Sequence, residues 1–384
     1  MNASVQAGEA VDDGVGVMLR QSVRDFCAQH PGVARMRRLR DTEPGYDKAI
    51  WTLMAQTGWT GMALPQLAGG LELGLREVCI VAEELAADLA PEPFGPSTVA
   101  ALAVACSDDG EMRDRLLQGI VTGEVVPALA WQEGPGTLDA SDPETRIAVQ
   151  ANRRLILTGR KRFVPAASGA TGFAVTARQD DGAAIVWVPA DAAGLSMEPF
   201  LCVDGSWLHT LHFDAVEVAV ENILANPPTA VPLLARLIEE GAVIGAAELL
   251  GIIRGAFERT HAYVGQRSQF GHLIGSFQVL QHRLVDLWMQ RELVSALIDD
   301  ALAACAADDA DTRPRAVSAA KARAAAAALA IGRQSIQLHG AIGYADEHDI
   351  GLYLKRAIVK SAWMGSAPVH RKRLARLFGY DAGG

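Results

Sequence analysis

The chain has 384 residues, half of them hydrophobic and 21% charged, with a formal net charge of −10. That length calls for two or three packed subdomains, and the hydrophobic share supports a well-buried globular protein. The acidity argues against non-specific nucleic-acid binding, while leaving room for a local basic phosphate site.

The first residues, MNASVQAGEAVDDGVG, lack the basic-then-apolar order of a signal peptide and read as a disordered tip. No apolar run reaches the ~18–20 residues needed to cross a bilayer; AVIGAAELLGII is interrupted by Glu248. A soluble, cytoplasmic protein with no membrane partner is expected. The cysteines Cys27, Cys79, Cys106, Cys202 and Cys305 lie far apart without a C-x-x-C pair. Reduced, mostly buried thiols and no metal site follow.

Residues 1–123 form an N-terminal helical domain: VMLRQSVRDFCAQH, YDKAIWTLMAQTGW and REVCIVAEELAADLA place apolar residues three and four apart. Pro65, Gly69 and Gly70 interrupt them. Glu83 and Glu84 are expected on a solvated helix face. Over 124–226 the period shortens. RIAVQ, RLILTG, GFAVTAR, AAIVWVPA and LHTLHFDAVEVAV are β-rich runs between Gly, Asp and Pro, as in a small barrel or sandwich. Residues 227–384 return to long helical stretches that suit an antiparallel four-helix bundle. Their Ala-rich part favours close helix packing. The class is therefore α+β.

Two stretches of the last domain carry most of the inference. In Gln266-Arg267-Ser268-Gln269-Phe270-Gly271, followed by Phe277-Gln278, an Arg fork sits where one long helix ends and the next begins. It could bind a phosphate bidentately, or be an ordinary turn with a surface Arg. In Gln337-Leu338-His339-Gly340-Ala341-Ile342-Gly343-Tyr344, glycines at a helix end allow close backbone approach and free amide donors, though Gly ends many helices.

Together, in this order after a β domain, they resemble the R-x-x-F-G…F-Q and Q-x-x-G-G-x-G motifs of the acyl-CoA dehydrogenase family. The resemblance extends over GWTGMALPQLAGG, TGRKRFVPAASGATGFAV and the tail from Tyr353 to Arg371. It implies FAD, with Arg267, Phe270, Gln278, Gln337 and Gly340 at the pyrophosphate and adenine end, usually serving the flavin of a neighbouring subunit in a tetramer. Ala341 departs from the motif's second glycine. The resemblance further implies an acyl-CoA substrate and an electron-transferring flavoprotein as electron acceptor.

The family oxidises acyl-CoA thioesters to trans-2-enoyl products: a carboxylate takes the α-proton while the β-hydride passes to the flavin. Burial can raise a carboxylate pKa toward the range that step needs. The position that usually holds this glutamate corresponds to Met364, in Trp363-Met364-Gly365-Ser366. The alternative position, on an earlier helix, corresponds to Gly241. Met cannot accept a proton, and neither can Gly. Glu240 is one residue from that alternative position, about 100° around a helix, and is the candidate displaced base. The family's flavin loop corresponds to Gln132-Glu133-Gly134-Pro135-Gly136-Thr137, and its Trp/Phe-x-Thr to Phe163-Val164-Pro165. Phe163 can still stack on a ring, but Pro165 has no N–H to donate.

The reading that follows is a subunit without its own catalytic glutamate, in a heteromeric acyl-CoA dehydrogenase. Similar heterotetramers act on bulky substrates such as steroid side-chain CoA thioesters. The alternatives are a homo-oligomeric dehydrogenase using Glu240, a flavin monooxygenase- or desulfinase-type relative needing no α-proton abstraction, and an assembly protein without flavin.

Overall fold

The computed structural model describes residues 14–380, apart from 109, 140, 151–153 and 181. Most of the proposed N-terminal tip therefore lies outside the described residues; Gly14–Gly16 already form the first turn of a helix.

Six helices open the chain: α1 (Gly14–Gln29), α2 (Gly32–Leu39), α3 (Lys48–Gln56), α4 (Leu75–Ala87), α5 (Phe94–Ala105) and α6 (Glu111–Thr122). The strands are β1 (Pro127–Ala130), β2 (Arg146–Val149), β3 (Arg154–Pro165), β4 (Gly172–Gln179), β5 (Gly182–Pro189), β6 (Leu195–Leu201), β7 (Trp207–Ala219) and β8 (Ile223–Ala225). Three long helices follow, α7 (Ala230–Gln266), α8 (Gln278–Ala307) and α9 (Arg313–His339), then the shorter α10 (Ile350–Ala362) and α11 (Ala367–Leu377). The fourth bundle stretch read from sequence is thus broken in two. Trp363 has extended backbone angles, and Met364 and Gly365 have positive φ, so helical hydrogen bonding cannot run through them. The α7–α8 connection carries a two-residue hairpin, β9 (Ser268–Gln269) with β10 (His272–Leu273).

The eight larger strands form one sheet in the order β6-β7-β3-β2-β4-β5-β8, with β1 beside β4. Alternate residues of β3 and β7 (Leu155, Leu157, Leu211, Phe213) meet those of β4 and β5 (Phe173, Val175, Val186, Val188) in one core, so the sheet closes over itself. The opposite face of β4 and β5, with Ala174, Ile185 and Trp187, joins the helical core. That shared core fixes the β domain against the helices.

Glu83 and Glu84 do not face solvent as expected; they are 9% and 4% exposed. Arg20 and Arg24 of α1 and Arg254 of α7 close on them, with Arg254 Nη2 2.6 Å from Glu84 Oε2. Helical periodicity alone sees two adjacent acids as surface; here α4 is wedged between α1 and α7, and each neighbour brings the cation that makes burial tolerable. The thiols also differ from expectation. Cys79 is buried, Cys27, Cys202 and Cys305 are half-buried, and Cys106 is exposed.

Candidate functional site

A cavity of about 350 Å³ opens where the three parts of the chain meet, with Pro96, Gln132, Phe163, Trp207, Lys360 and Trp363 among its walls. Phe163 reaches it through an irregularity in the β3–β7 pairing between Lys161 and Val164. A bulge of this kind re-aims a side chain. Phe163 itself has φ +58, a strained conformation for a bulky residue and one often kept for a functional reason.

The two positions where a base was sought lie against each other. A Cβ built on Gly241 would sit 3.0 Å from Met364 Cε and 3.2 Å from a Val99 methyl. Met364 is 5% exposed, and the side of it facing a small void is lined by Pro96, Leu129, Trp131 and Trp363. Both candidate base positions thus converge on one spot beside a void that Gln132 and Arg162 also line, and no carboxylate lines it among the described residues.

Glu240 does not line the cavity. Its carboxylate accepts from Arg236 Nε at 2.7 Å, one turn back on α7. The step from Gly241 turns it toward the two thiols Cys106 and Cys305, where burial and then its charge help push Cys305 up to about 11. Glu239 is 3% exposed and joins α7 to α9 and α11 through Arg313 (2.7 Å) and Arg373.

The loop facing Phe163 is held from inside the β domain. Glu133 accepts from Lys161 Nζ at 2.6 Å and from the Thr145 amide at 2.9 Å. Burial works to raise the Glu133 carboxyl, but the Lys161 hydrogen bond and charge outweigh it and hold the group down to about 2. Burial pushes Lys161 down to about 8 against the pull of Glu133. Glu133 therefore shapes the loop and is spent on it. Pro165 closes β3 opposite Leu208 and lines the cavity without a donor.

Two buried groups that sequence reasoning missed hold the Trp363–Ser366 segment. Lys321 of α9 is fully buried and donates to the carbonyls of Lys360 (3.4 Å), Ser361 (3.2 Å) and Gly365 (3.1 Å). His370 of α11 lies 2.8 Å from the Met364 carbonyl through Nε2. A carbonyl only accepts, so Nε2 carries the proton, and Nδ1 has no partner among the described residues. Gly365 has φ +96, and a Cβ there would be 2.7 Å from His370 Nε2, so glycine is required on both counts. The only sequence signals were a lone Lys in an Ala-rich helix and a His beyond the glycine, neither with a spacing that points inward.

Burial pushes His370 down to about 4 from an ordinary 6.5. Between these values the unfolded chain holds a proton that the folded chain does not. His370 therefore contributes stability above about pH 6.5 that is lost as pH falls toward 4, at no more than ~1.4 kcal/mol per pH unit. Urea midpoints of His370→Asn measured across that range should show a shallower acid slope than the parent. An identical slope would contradict this.

At the far end of the bundle the two phosphate-motif stretches come together. Tyr263 stacks on His339 at 4.4 Å and donates to its carbonyl, bringing the end of α7 to the end of α9. Arg267 caps α7 and Gln337 lies in the last turn of α9; both are exposed, as are Phe270, Gln278 and Gly340. Arg267 makes no side-chain hydrogen bond or ion pair among the described residues. Gly340 has φ +68, with nothing within 4 Å of where a Cβ would stand, leaving an open cradle. From Gly241 to the end of α7 is about 38 Å at ~1.5 Å per residue.

Sequence profiles of known families match both helical parts: the acyl-CoA dehydrogenase N-terminal domain over residues 16–124 and the C-terminal domain over 233–378. The solved structure of a Tcur3481–Tcur3483 steroid ACAD variant superposes with a TM-score of 0.85 at 30% identity, covering 96% of this chain and 99% of that one. The chain belongs to the acyl-CoA dehydrogenase family. A curated relative, acyl-CoA dehydrogenase IpdE2 of Mycobacterium tuberculosis, is 28% identical over 88% of this chain and 90% of its own length. The ChsE4–ChsE5 complex from Mycobacterium tuberculosis has the same fold, with a TM-score of 0.87 at 22% identity over 97% of this chain and 99% of that one. Members of this acyl-CoA dehydrogenase family bind FAD and are oxidoreductases acting on CH–CH groups. No helix among the described residues is long and apolar enough to cross a membrane.

Proposed function

We propose that this chain is an FAD-dependent acyl-CoA dehydrogenase subunit without a catalytic base of its own, working in an oligomer with a second subunit that supplies the glutamate. The observation that carries the reading is the contact between Gly241 and Met364. Two positions able to present a carboxylate to the same point are both filled by groups that cannot take a proton.

The phosphate end fits a dinucleotide: Arg267 has free donors, and Gly340 offers an open backbone. The run of about 38 Å along α7 between Gly241 and Arg267 supports a role for Arg267 and Gln337 at a cavity in another chain. Phe270 and Gln278 would complete that end. The ring end of this chain fits less well, because Phe163 can stack but Pro165 cannot donate and Glu133 is committed to Lys161. A bound FAD would supply hydride-accepting chemistry to the acyl β-carbon. What this chain's own residues do is bind phosphates and shape the walls of the cavity.

Bulky acyl-CoA thioesters, including steroid side-chain derivatives, are the substrate class, supported by the likeness to the steroid ACAD. The heteromeric state is supported by the likeness to the ChsE4–ChsE5 complex. An electron-transferring flavoprotein as electron acceptor and a cytoplasmic location complete the reading. The homo-oligomeric alternative using Glu240 gains little support, since that carboxylate is bound by Arg236 and does not line the cavity. The flavin monooxygenase- or desulfinase-type alternative has no feature of its own in the cavity to favour it.

Expression with and without a base-containing partner, scoring flavin per chain, tests the proposal. Arg267→Ala should lower flavin retention of the assembled protein about tenfold or more, since a charge-assisted phosphate contact is worth ~1.5–3 kcal/mol. Full flavin content in that variant would count against the trans site.

A further inference from the structure

One wall of the cavity is charged, and it is the deep one. Glu92, Arg356 and Lys360 line the cavity and also a separate void of about 20 Å³, whose other walls include Leu85, Leu89, Phe94 and Ile252. Those four are core residues, three of them no more than 3% exposed. The charged side chains are therefore the partition between the cavity and the helical core.

Each charge on this partition faces a buried opposite charge. Glu92, with a fully buried side chain, holds Arg35 at 2.7 Å and 3.0 Å. Lys360 donates to both oxygens of Glu248 at 2.8 Å and 2.9 Å and lies over the Trp363 ring. Arg356 pairs with Asp204, Nε to Oδ2 at 3.1 Å. Only this last pair is incompletely bonded. Neither Arg356 Nε nor Asp204 Oδ2 makes a well-aligned hydrogen bond, while the other Asp204 oxygen is occupied by the Ser206 amide and hydroxyl.

Arg356 is 7% exposed, and its guanidinium has no hydrogen bond to any described residue. Its Nε is buried without a hydrogen-bond partner among the described residues, and a guanidinium left in this state is costly unless something enters the cavity to accept its N–H groups. A plain alkyl end would displace the water serving them and give nothing back. A carboxylate would add a fourth anion to a partition that already balances three cations against three carboxylates, leaving buried charge uncompensated. A neutral oxygen accepts from the guanidinium and leaves the balance intact.

Building on the acyl-CoA reading, we propose that Arg356 is a specificity-determining residue that receives a ketone or hydroxyl oxygen at the far end of the acyl group. The cavity then selects oxygenated acyl chains over plain ones. The other walls combine Tyr46, Trp207, Trp363 and several prolines with the neutral Gln132, Thr137, Ser206 and Ser366, so the under-bonded guanidinium is the wall feature best able to tell an oxygenated end from a plain one.

Calorimetric titration of the full-length protein tests this with hexanoyl-, octanoyl- and decanoyl-CoA. Each is compared with the same chain carrying a ketone at the penultimate carbon, and with its terminal carboxylate. For the length that reaches the partition, the ketone should bind at least about tenfold tighter than the alkyl chain. Arg356→Met should abolish that preference while leaving alkyl binding within about threefold. The wild-type comparison stands even if the variant fails to fold. Equal or weaker ketone binding at every length overturns the inference and leaves the acyl-CoA reading standing; so does a carboxylate that binds tightest. Failure of every acyl-CoA to bind sinks both.

Discussion

The purified chain, free of any partner, is expected to reduce an artificial acceptor with acyl-CoA at a rate ~10²–10⁴-fold below that of a relative retaining the glutamate. General-base catalysis accounts for a factor of this size, and among the described residues no carboxylate lines the spot shared by Met364 and Gly241, where Val99, Pro96 and Trp363 pack beside Gln132 and Arg162. Met364→Glu tests why. Glu is close to Met in length and volume, and the site would bury it among Val99, Pro96 and Trp363, raising its pKa as a base for a thioester α-proton requires. Turnover in this variant alone should nevertheless remain low, because Pro165 offers no donor and Glu133 is bound to Lys161 on the ring side. A gain of a hundredfold or so would show that the base was the only missing part. Ordinary turnover by the unmodified chain would refute the base-lacking reading outright, and Glu240→Gln would then identify or exclude the displaced base.

The order helical, β, helical was legible because hydrophobic period is a local property. The change from spacings of three and four to two occurs where β1 begins at Pro127, and helical spacing resumes where α7 begins at Ala230. The closure of the sheet was anticipated as a barrel or sandwich, but its order could not be read, since β2 lies between β3 and β4 through pairings distant in sequence. The break between α10 and α11 was hidden for another reason. It depends on backbone angles at Met364 and Gly365 that serve the loop and not on any change of apolar spacing. Glu83 and Glu84 were misplaced because the arginines that make their burial affordable come from positions 20, 24 and 254.

For the candidate site, residues carried by linear motifs could be nominated from sequence and residues placed by tertiary packing could not. Arg267 and Gln337 stand in recognisable strings, and both emerge at one end of the bundle. The two positions proposed for a base could be counted out along the chain. What counting could not reveal is that Gly241 and Met364 touch, or that Arg356 and Lys360 point their charge into a cavity. A cation one turn from another on an amphipathic helix reads as a solvated face until the helix is seen packed on the inside.

Lys321→Met should destabilise the chain by several kcal/mol and loosen the segment that carries Met364. Lys321 is enclosed by core, with its Cε 3.3 Å from where a Cβ on Gly245 would lie, so Met preserves the packing and removes only the donors. The carbonyls of Lys360, Ser361 and Gly365 then lose their partner, at ~1–3 kcal/mol for each that stays dry. Removing the ammonium also relieves an opposing cost, because burial pushes Lys321 down to about 7 from 10.5 while Glu248 draws it up. The net loss is therefore less than the three carbonyls would give together. Protonation supplies an independent check. Between about pH 7 and 10.5 the unfolded chain holds a proton on Lys321 that the folded chain has released, so this group makes the parent gain stability as pH rises through that window. Lys321→Met should lack that gain, so the stability difference between the two proteins should widen from pH 7 upward. Urea midpoints at several pH values measure it, and a difference that stays constant or narrows would mean that the lysine stays charged in the folded chain, held by its three carbonyls.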